Sequence, residues 1–225
     1  MPDLNPFYLT LQLALVTTLI LFIVGLPLAY WMAYSKFRGK AVVEAVVSMP
    51  LVLPPTVLGF YLLLAFSPEN FLGTFLEQYF NIRLVFTFPG LIIASVLYSL
   101  PFMVHPLQSG FKLIPDSVSE ASYTLGKSKL ITALRVLIPN IKASLLTGIV
   151  LTFAHTIGEF GVVLMVGGSI PDKTKVVSIA IYDEVQSMNY HHANVYAAIL
   201  ISFTFIILIS VYIINQRSSK IHLLP

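Results

Sequence analysis

Five long apolar runs, at about residues 7–34, 41–66, 89–107, 143–166 and 193–214, alternate with polar intervals along the chain. A helix crosses a hydrocarbon core in roughly 20 residues, so the pattern predicts an all-α integral membrane protein with five transmembrane helices. Proline marks these runs unevenly. Pro27 is a candidate kink in the first, Pro101 and Pro106 lie towards the end of the third, and the second carries Pro50, Pro54 and Pro55. Those three cannot all sit in an undisturbed helix, because each lacks an N–H and crowds the preceding turn.

The interval between the third and fourth runs is the most polar. Ser117 and Glu120 have the spacing of a reciprocal helix cap just after Pro115, Val118, Ala121 and Leu125 share one helical face, and Gly126 supplies a stop. A second pattern places Leu130, Ala133, Leu134, Leu137 and Ile138 on one side before Pro139 interrupts it. Two short amphipathic helices joined at a glycine, set between spans, predict a shaped knob at the membrane surface. Such a knob is a docking element, not a reaction centre. Gly126-Lys127-Ser128 ends like a phosphate-binding loop, but Ala121 stands where that loop needs its first glycine and no buried strand precedes it. The chain is therefore not expected to bind ATP itself.

Composition agrees with a membrane as the main solvent: 57% of the 225 residues are hydrophobic, 10% are charged, and mean hydropathy is +0.87. There is no cysteine, which removes disulfides and thiolate metal sites. The net charge of +3 matters less than its placement. Ten basic residues (Lys36, Arg38, Lys40, Lys112, Lys127, Lys129, Arg135, Lys142, Arg217, Lys220) fall in the intervals on one side, against three (Arg83, Lys173, Lys175) on the other. The basic side is cytoplasmic, so the N-terminus is expected outside and the C-terminus inside. The first run is too long for a signal-peptide core and is expected to be retained. With no repeat, low-complexity linker or second domain, 1–225 reads as a single transmembrane domain.

Glu120-Ala121, Gly126 six residues after the glutamate, and Ile138-Pro139 resemble the EAA loop of permease subunits of bacterial ABC importers. Ser122 departs from the pattern where a second alanine is common, and Val136 and Ile138 depart conservatively. Pro50 to Gly59 and Gly158 to Tyr182 resemble molybdate importer permeases, the five-span branch related to the longer sulfate permeases. The resemblance implies a type I ABC importer permease fold in the bacterial inner membrane, with 109–142 as a cytoplasmic coupling loop. It assigns docking of the ATPase to Glu120, Ala121, Ser122, Gly126 and Pro139. It also implies a homodimer, two cytoplasmic ATPase subunits that use ATP and Mg, and an external molybdate-binding protein. The permease itself would be non-catalytic and bind no cofactor, metal or nucleic acid.

Inside the membrane, Gly148, Thr152, His155 and Glu159 fall at spacings that share one helical face. Polar groups in a span avoid lipid, so this stripe lines either a path or a helix–helix contact in which His155 and Glu159 satisfy one another. A carboxylate repels an oxyanion at close range unless it is protonated, so Glu159 is expected to act as a gate, an interhelical hydrogen bond or an outer contact, not as a ligand. The Pro54-Pro55-Thr56 break is a second candidate for the path, offering backbone N–H groups and a hydroxyl without a full charge. It reads equally as a packing kink. His191-His192 lacks the further ligands of a metal site. Tungstate or sulfate in place of molybdate, and an ATP-independent secondary anion transporter or channel, are the alternative functions.

Overall fold

A computed structural model of the chain describes residues 3–220, with the backbone alone for Val211 and for 214–220. The side chains of Arg217 and Lys220, counted above among the inner charges, lie outside the described residues. In chain order the helices are α1 (Asn5–Tyr34), α2 (Lys40–Val52), α3 (Pro55–Phe66), α4 (Phe71–Phe80), α5 (Phe88–Lys112) and α6 (Asp116–Thr124). They continue with α7 (Lys129–Thr132), a π-helical turn (Ala133–Leu137), α8 (Ile138–Asn140), α9 (Lys142–Gly158), α10 (Gly161–Gly167), α11 (Val177–Gln186) and α12 (Tyr190–Lys220).

Among the described residues, three helices are long and apolar enough to cross a membrane: α1, α5 and Tyr190–Ser210 of α12. Two bent pairs add up to two further crossings, α2 with α3 at 113° and Lys129–Asn140 with α9 at 76°. The centre is built from α1, α5 and α9. Leu21 and Met32 of α1 and Met103, Leu107 and Phe111 of α5 are fully buried there. Gly25 of α1 faces the Met103 side chain and Gly148 of α9 faces the Met103 carbonyl, so small residues let the three helices approach closely. α12 packs on α11 and α9 at the periphery.

Several sequence expectations change here, each for a local reason. The run at 41–66 is two helices set at 113° to one another, because Leu53 and Pro54 each precede a proline and both adopt extended backbone, ψ 136°. Pro55 then opens α3, where a missing N–H costs nothing. The third run extends past 107 to Lys112, so position 109 lies inside α5 and not in a loop; Gly110 is buried against Ser144 of α9. The run at 143–166 is also not one helix. α9 stops at Gly158, Glu159 is extended (ψ 134°), and α10 starts at Gly161. Between 67 and 88 the expected polar connection contains α4, closed by Asn81 in the left-handed region (φ 53°).

Candidate functional site

The segment expected to be a docking element forms a helix, a tight stop and a second helical stretch. α6 starts two residues earlier than the Ser117–Glu120 spacing predicts: Pro115 is the N-cap, makes no side-chain cap bond, and Ser119 Oγ donates to the Asp116 carbonyl instead. Its end follows the glycine expectation. Gly126 has φ +72°, its N–H donates to Tyr123 O (2.9 Å), and Lys127 N–H donates to Ser122 O (3.2 Å). This pair of bonds closes a helix whose terminal residue is left-handed, a conformation that glycine adopts without steric penalty. Ser128 then caps α7 by accepting from Ile131 N–H (3.3 Å). The residues that imitate the end of a phosphate loop are thus used as a helix stop and a helix start.

Pro139 does not end the second stretch. The π-helical turn widens the backbone just before it, which accommodates a ring that cannot donate to the carbonyl of Arg135. The bend into α9 comes at Ile141. Ser122, the departure from the usual alanine, is buried and shares a hydrogen bond of 2.8 Å with the buried Thr132 hydroxyl, tying α6 to α7. Glu120, Ala121, Gly126 and Pro139 are exposed. So are the apolar Leu125 (76%), Leu130 (68%) and Leu134 (56%), whereas Leu137 is buried against the core. The predicted apolar faces are therefore split, one part anchoring the knob and the other presented outwards.

The two chain breaks, at Pro54-Pro55 and at 159–160, meet in space. Gly161 sits against Pro55 so closely that a Cβ there would lie 2.7 Å from Pro55 Cβ, and Gly59 of α3 is equally tight against Met165. A cavity of about 470 Å³ opens between them, lined by Pro55, Thr56, Tyr98, His155, Glu159 and Phe160, among others. Four of the residues singled out in the sequence thus converge from α3, α9 and the 159–160 break. Pro54 and Thr152 do not line it; Thr152 is fully buried lower on α9.

His155 and Glu159 do not pair. His155 Nδ1 meets Ser99 Oγ (3.0 Å), which in turn meets Thr156 Oγ1 (3.1 Å), and the imidazole stacks on Phe102 with centroids 3.9 Å apart. Glu159 is 4% exposed, and neither carboxylate oxygen has a hydrogen-bond partner among the described residues. Its backbone carbonyl is held, accepting from Ser178 Oγ of α11 at 2.6 Å.

A model of the family described as "Binding-protein-dependent transport system inner membrane component" matches residues 25–220. The chain belongs to this family. It is 46% identical over 211 residues, 93% of each chain, to the "Molybdenum transport system permease protein ModB" of Azotobacter vinelandii. It is 33% identical to the "Putative molybdenum transport system permease protein YvgM" of Bacillus subtilis, over 96% of this chain and 93% of that one. A "Sulfate transport system permease protein CysT" from Salmonella typhimurium is 30% identical, over 95% of this chain and 77% of its own. Among solved structures, a chain of the inward-facing MetNI methionine ABC transporter superposes with a TM-score of 0.72 at 17% identity, covering 93% of both chains. A chain of a bacterial ABC transporter that imports alginate gives 0.79 at 15% identity, over 95% of this chain and 79% of that one. These two establish the fold: an all-α, multi-spanning importer permease.

This permease is thus a multi-pass, non-catalytic component of the inner membrane. Among its described residues no group of three or more His, Cys, Asp or Glu side chains is placed to hold a metal ion. The His192 ring instead meets Asn189 Nδ2 at 2.9 Å. Tyr98, Ser99, Phe102 and Phe160 join the cavity wall or hold His155, and sequence reading missed them. They come from α5 and the 159–160 break, and only the packing of α5 on α9 brings them in. A polar cluster at the α2–α5 contact was also missed. Gln108 Nε2 donates to Glu44 Oε1 (2.7 Å), with Lys112 and Lys40 at 3.8 and 4.0 Å from the same oxygen. Ser48 bridges the Glu44 carbonyl and His105 Nε2.

Proposed function

We propose that this chain is the permease of an ATP-driven, binding-protein-dependent molybdate importer. The observation that carries this reading is the cavity at which two helix breaks meet in the membrane. It presents a hydroxyl, an imidazole and aromatic walls to a passing solute, and no lysine or arginine is in its lining. An oxyanion handled there meets Thr56 at the N-terminal end of α3 without a fixed cation to trap it, and conduction requires that release be as easy as entry. Glu159, buried on the same wall without a counter-charge, acts as a gate: protonated it leaves the path open, and ionised it opposes a dianion. Selectivity then comes from an external molybdate-binding protein; the likeness to a molybdenum permease at 46% identity supports that anion.

The remaining parts follow from this reading. The chain crosses the membrane five times with its N-terminus outside and its C-terminus in the cytoplasm, each bent pair serving as one crossing. Two copies form a homodimer above two cytoplasmic ATPase subunits, which bind ATP and Mg. Glu120, Ala121, Ser122, Gly126 and Pro139 make up the docking segment that carries ATPase motion to α9 through the bend at Ile141.

The test is uptake of labelled molybdate into proteoliposomes holding the full complex, with sulfate or tungstate in excess. Uptake that survives sulfate supports the molybdate assignment; tungstate competition ranks those two anions. Loss of uptake to the excess sulfate overturns the choice of anion and makes the chain a sulfate permease.

A further inference from the structure

We propose that the groove between α1 and the second half of the docking segment is a binding site for one anionic phospholipid of the bilayer. Two adjoining cavities run along a single face of α1. The first, of about 470 Å³, has an apolar wall made by Leu26 and Pro27 of α1 and by Ala133, Leu134 and Ile138 across from them. The second, of about 170 Å³, is lined by Tyr34, Ser119 and Tyr123. Tyr30 and Lys129 line both.

The order of these groups identifies the occupant. Positions 26, 30 and 34 follow one another on the same side of a helix, one turn apart. Moving along them leads from the middle of a membrane span to its end, so the apolar cavity lies on the hydrocarbon side and the polar one at the interface. A phospholipid has the same sequence of acyl chain, then phosphate. Lys129 stands at the junction, and none of the ion pairs among the described residues includes it. Tyr34 already donates to the Phe111 carbonyl (3.1 Å) and Ser119 to that of Asp116 (2.8 Å), which leaves the Lys129 ammonium and the Tyr123 hydroxyl as the donors for a headgroup. A soluble anion would use only the polar end, and an apolar helix would leave the lysine without a counter-charge. Because the groove is walled by the segment between the docking knob and the bend into α9, its occupancy props that segment against α1.

The test uses the permease–ATPase complex in nanodiscs and two photoactivatable lipids with the reactive group in the acyl chain, a phosphatidylglycerol and a phosphatidylcholine. The expected result is preferential labelling of residues 133–138 and 26–30 by the phosphatidylglycerol. Lys129→Gln lowers that labelling about fivefold, the worth of one basic residue near an anionic surface, and Lys129→Arg restores it. Ala133→Trp fills the apolar end and removes labelling by both lipids; if that variant does not assemble, the lysine pair decides. Equal labelling by the two lipids, labelling of the groove that Lys129→Gln leaves unchanged, or protection of the groove by a second protein copy overturns the proposal.

Discussion

Replacing Gly126 isolates the backbone term in the docking segment. A Cβ at this position meets nothing within 4 Å, so a substitution introduces no clash inside the chain. What it changes is the cost of φ +72°. An L-residue held in the left-handed region loses about 1–2 kcal/mol, with asparagine the most tolerant and β-branched residues the least. That energy sets how often the bonds from Gly126 to Tyr123 O and from Lys127 to Ser122 O are closed, and 1–2 kcal/mol lowers the closed-to-open ratio about 5- to 30-fold. The assay is molybdate transported per ATP hydrolysed by the reconstituted complex. The expected order is glycine, then Gly126→Asn close behind, Gly126→Ala lower, and Gly126→Val lowest by at least about fivefold, with every variant still inserted in the membrane. If steric fit to the ATPase were the controlling factor, the larger asparagine would be worse than alanine. That inverted order, or a valine variant coupled like the parent, refutes the reasoning.

Three further outcomes follow from the packing. Gly161→Ala places a methyl 2.7 Å from Pro55 Cβ and wedges α10 from α3, which should cost about 1–3 kcal/mol and lower the Tm of the detergent-solubilised subunit. Ser122→Ala leaves the buried Thr132 hydroxyl without its partner and should cost about 1–3 kcal/mol, whereas Ser122→Ala with Thr132→Val should be nearly neutral; hydrogen exchange across α6 and α7 measures both. Glu159→Gln removes a carboxylate whose buried oxygens have no partner among the described residues, so the Tm should hold or rise while transport changes. A large fall in Tm would instead make Glu159 a structural anchor.

Legibility in the sequence depended on the range of the interaction concerned. Gly126 as a helix stop and the break at Pro54-Pro55 were readable because each is decided by the φ/ψ limits of one or two residues. The Ser117–Glu120 cap was misread: Pro115, already restricted in φ, starts the helix by itself, and the Ser119 hydroxyl turns to the Asp116 carbonyl. Reading Glu159 as part of the α9 stripe failed for a different reason. A spacing of four places two residues on one face only while the helix continues, and Gly158 and Gly161 allow it to stop between them. Nothing local marks Ser99 and Phe102 as partners of His155, since they lie more than fifty positions away and meet it only because α5 packs on α9. The same holds for Ser122, whose departure from alanine is explained by Thr132 across the turn.

The most direct test of the central claim is molybdate uptake by proteoliposomes assembled with and without the ATPase and the external binding protein, at fixed amounts of this permease. The account predicts uptake only when both partners and ATP are present, lost on replacing ATP by a non-hydrolysable analogue. Uptake by this chain alone, driven by an ion or anion gradient without nucleotide, would contradict it and make the cavity at Thr56, His155 and Glu159 the gate of a self-contained transporter.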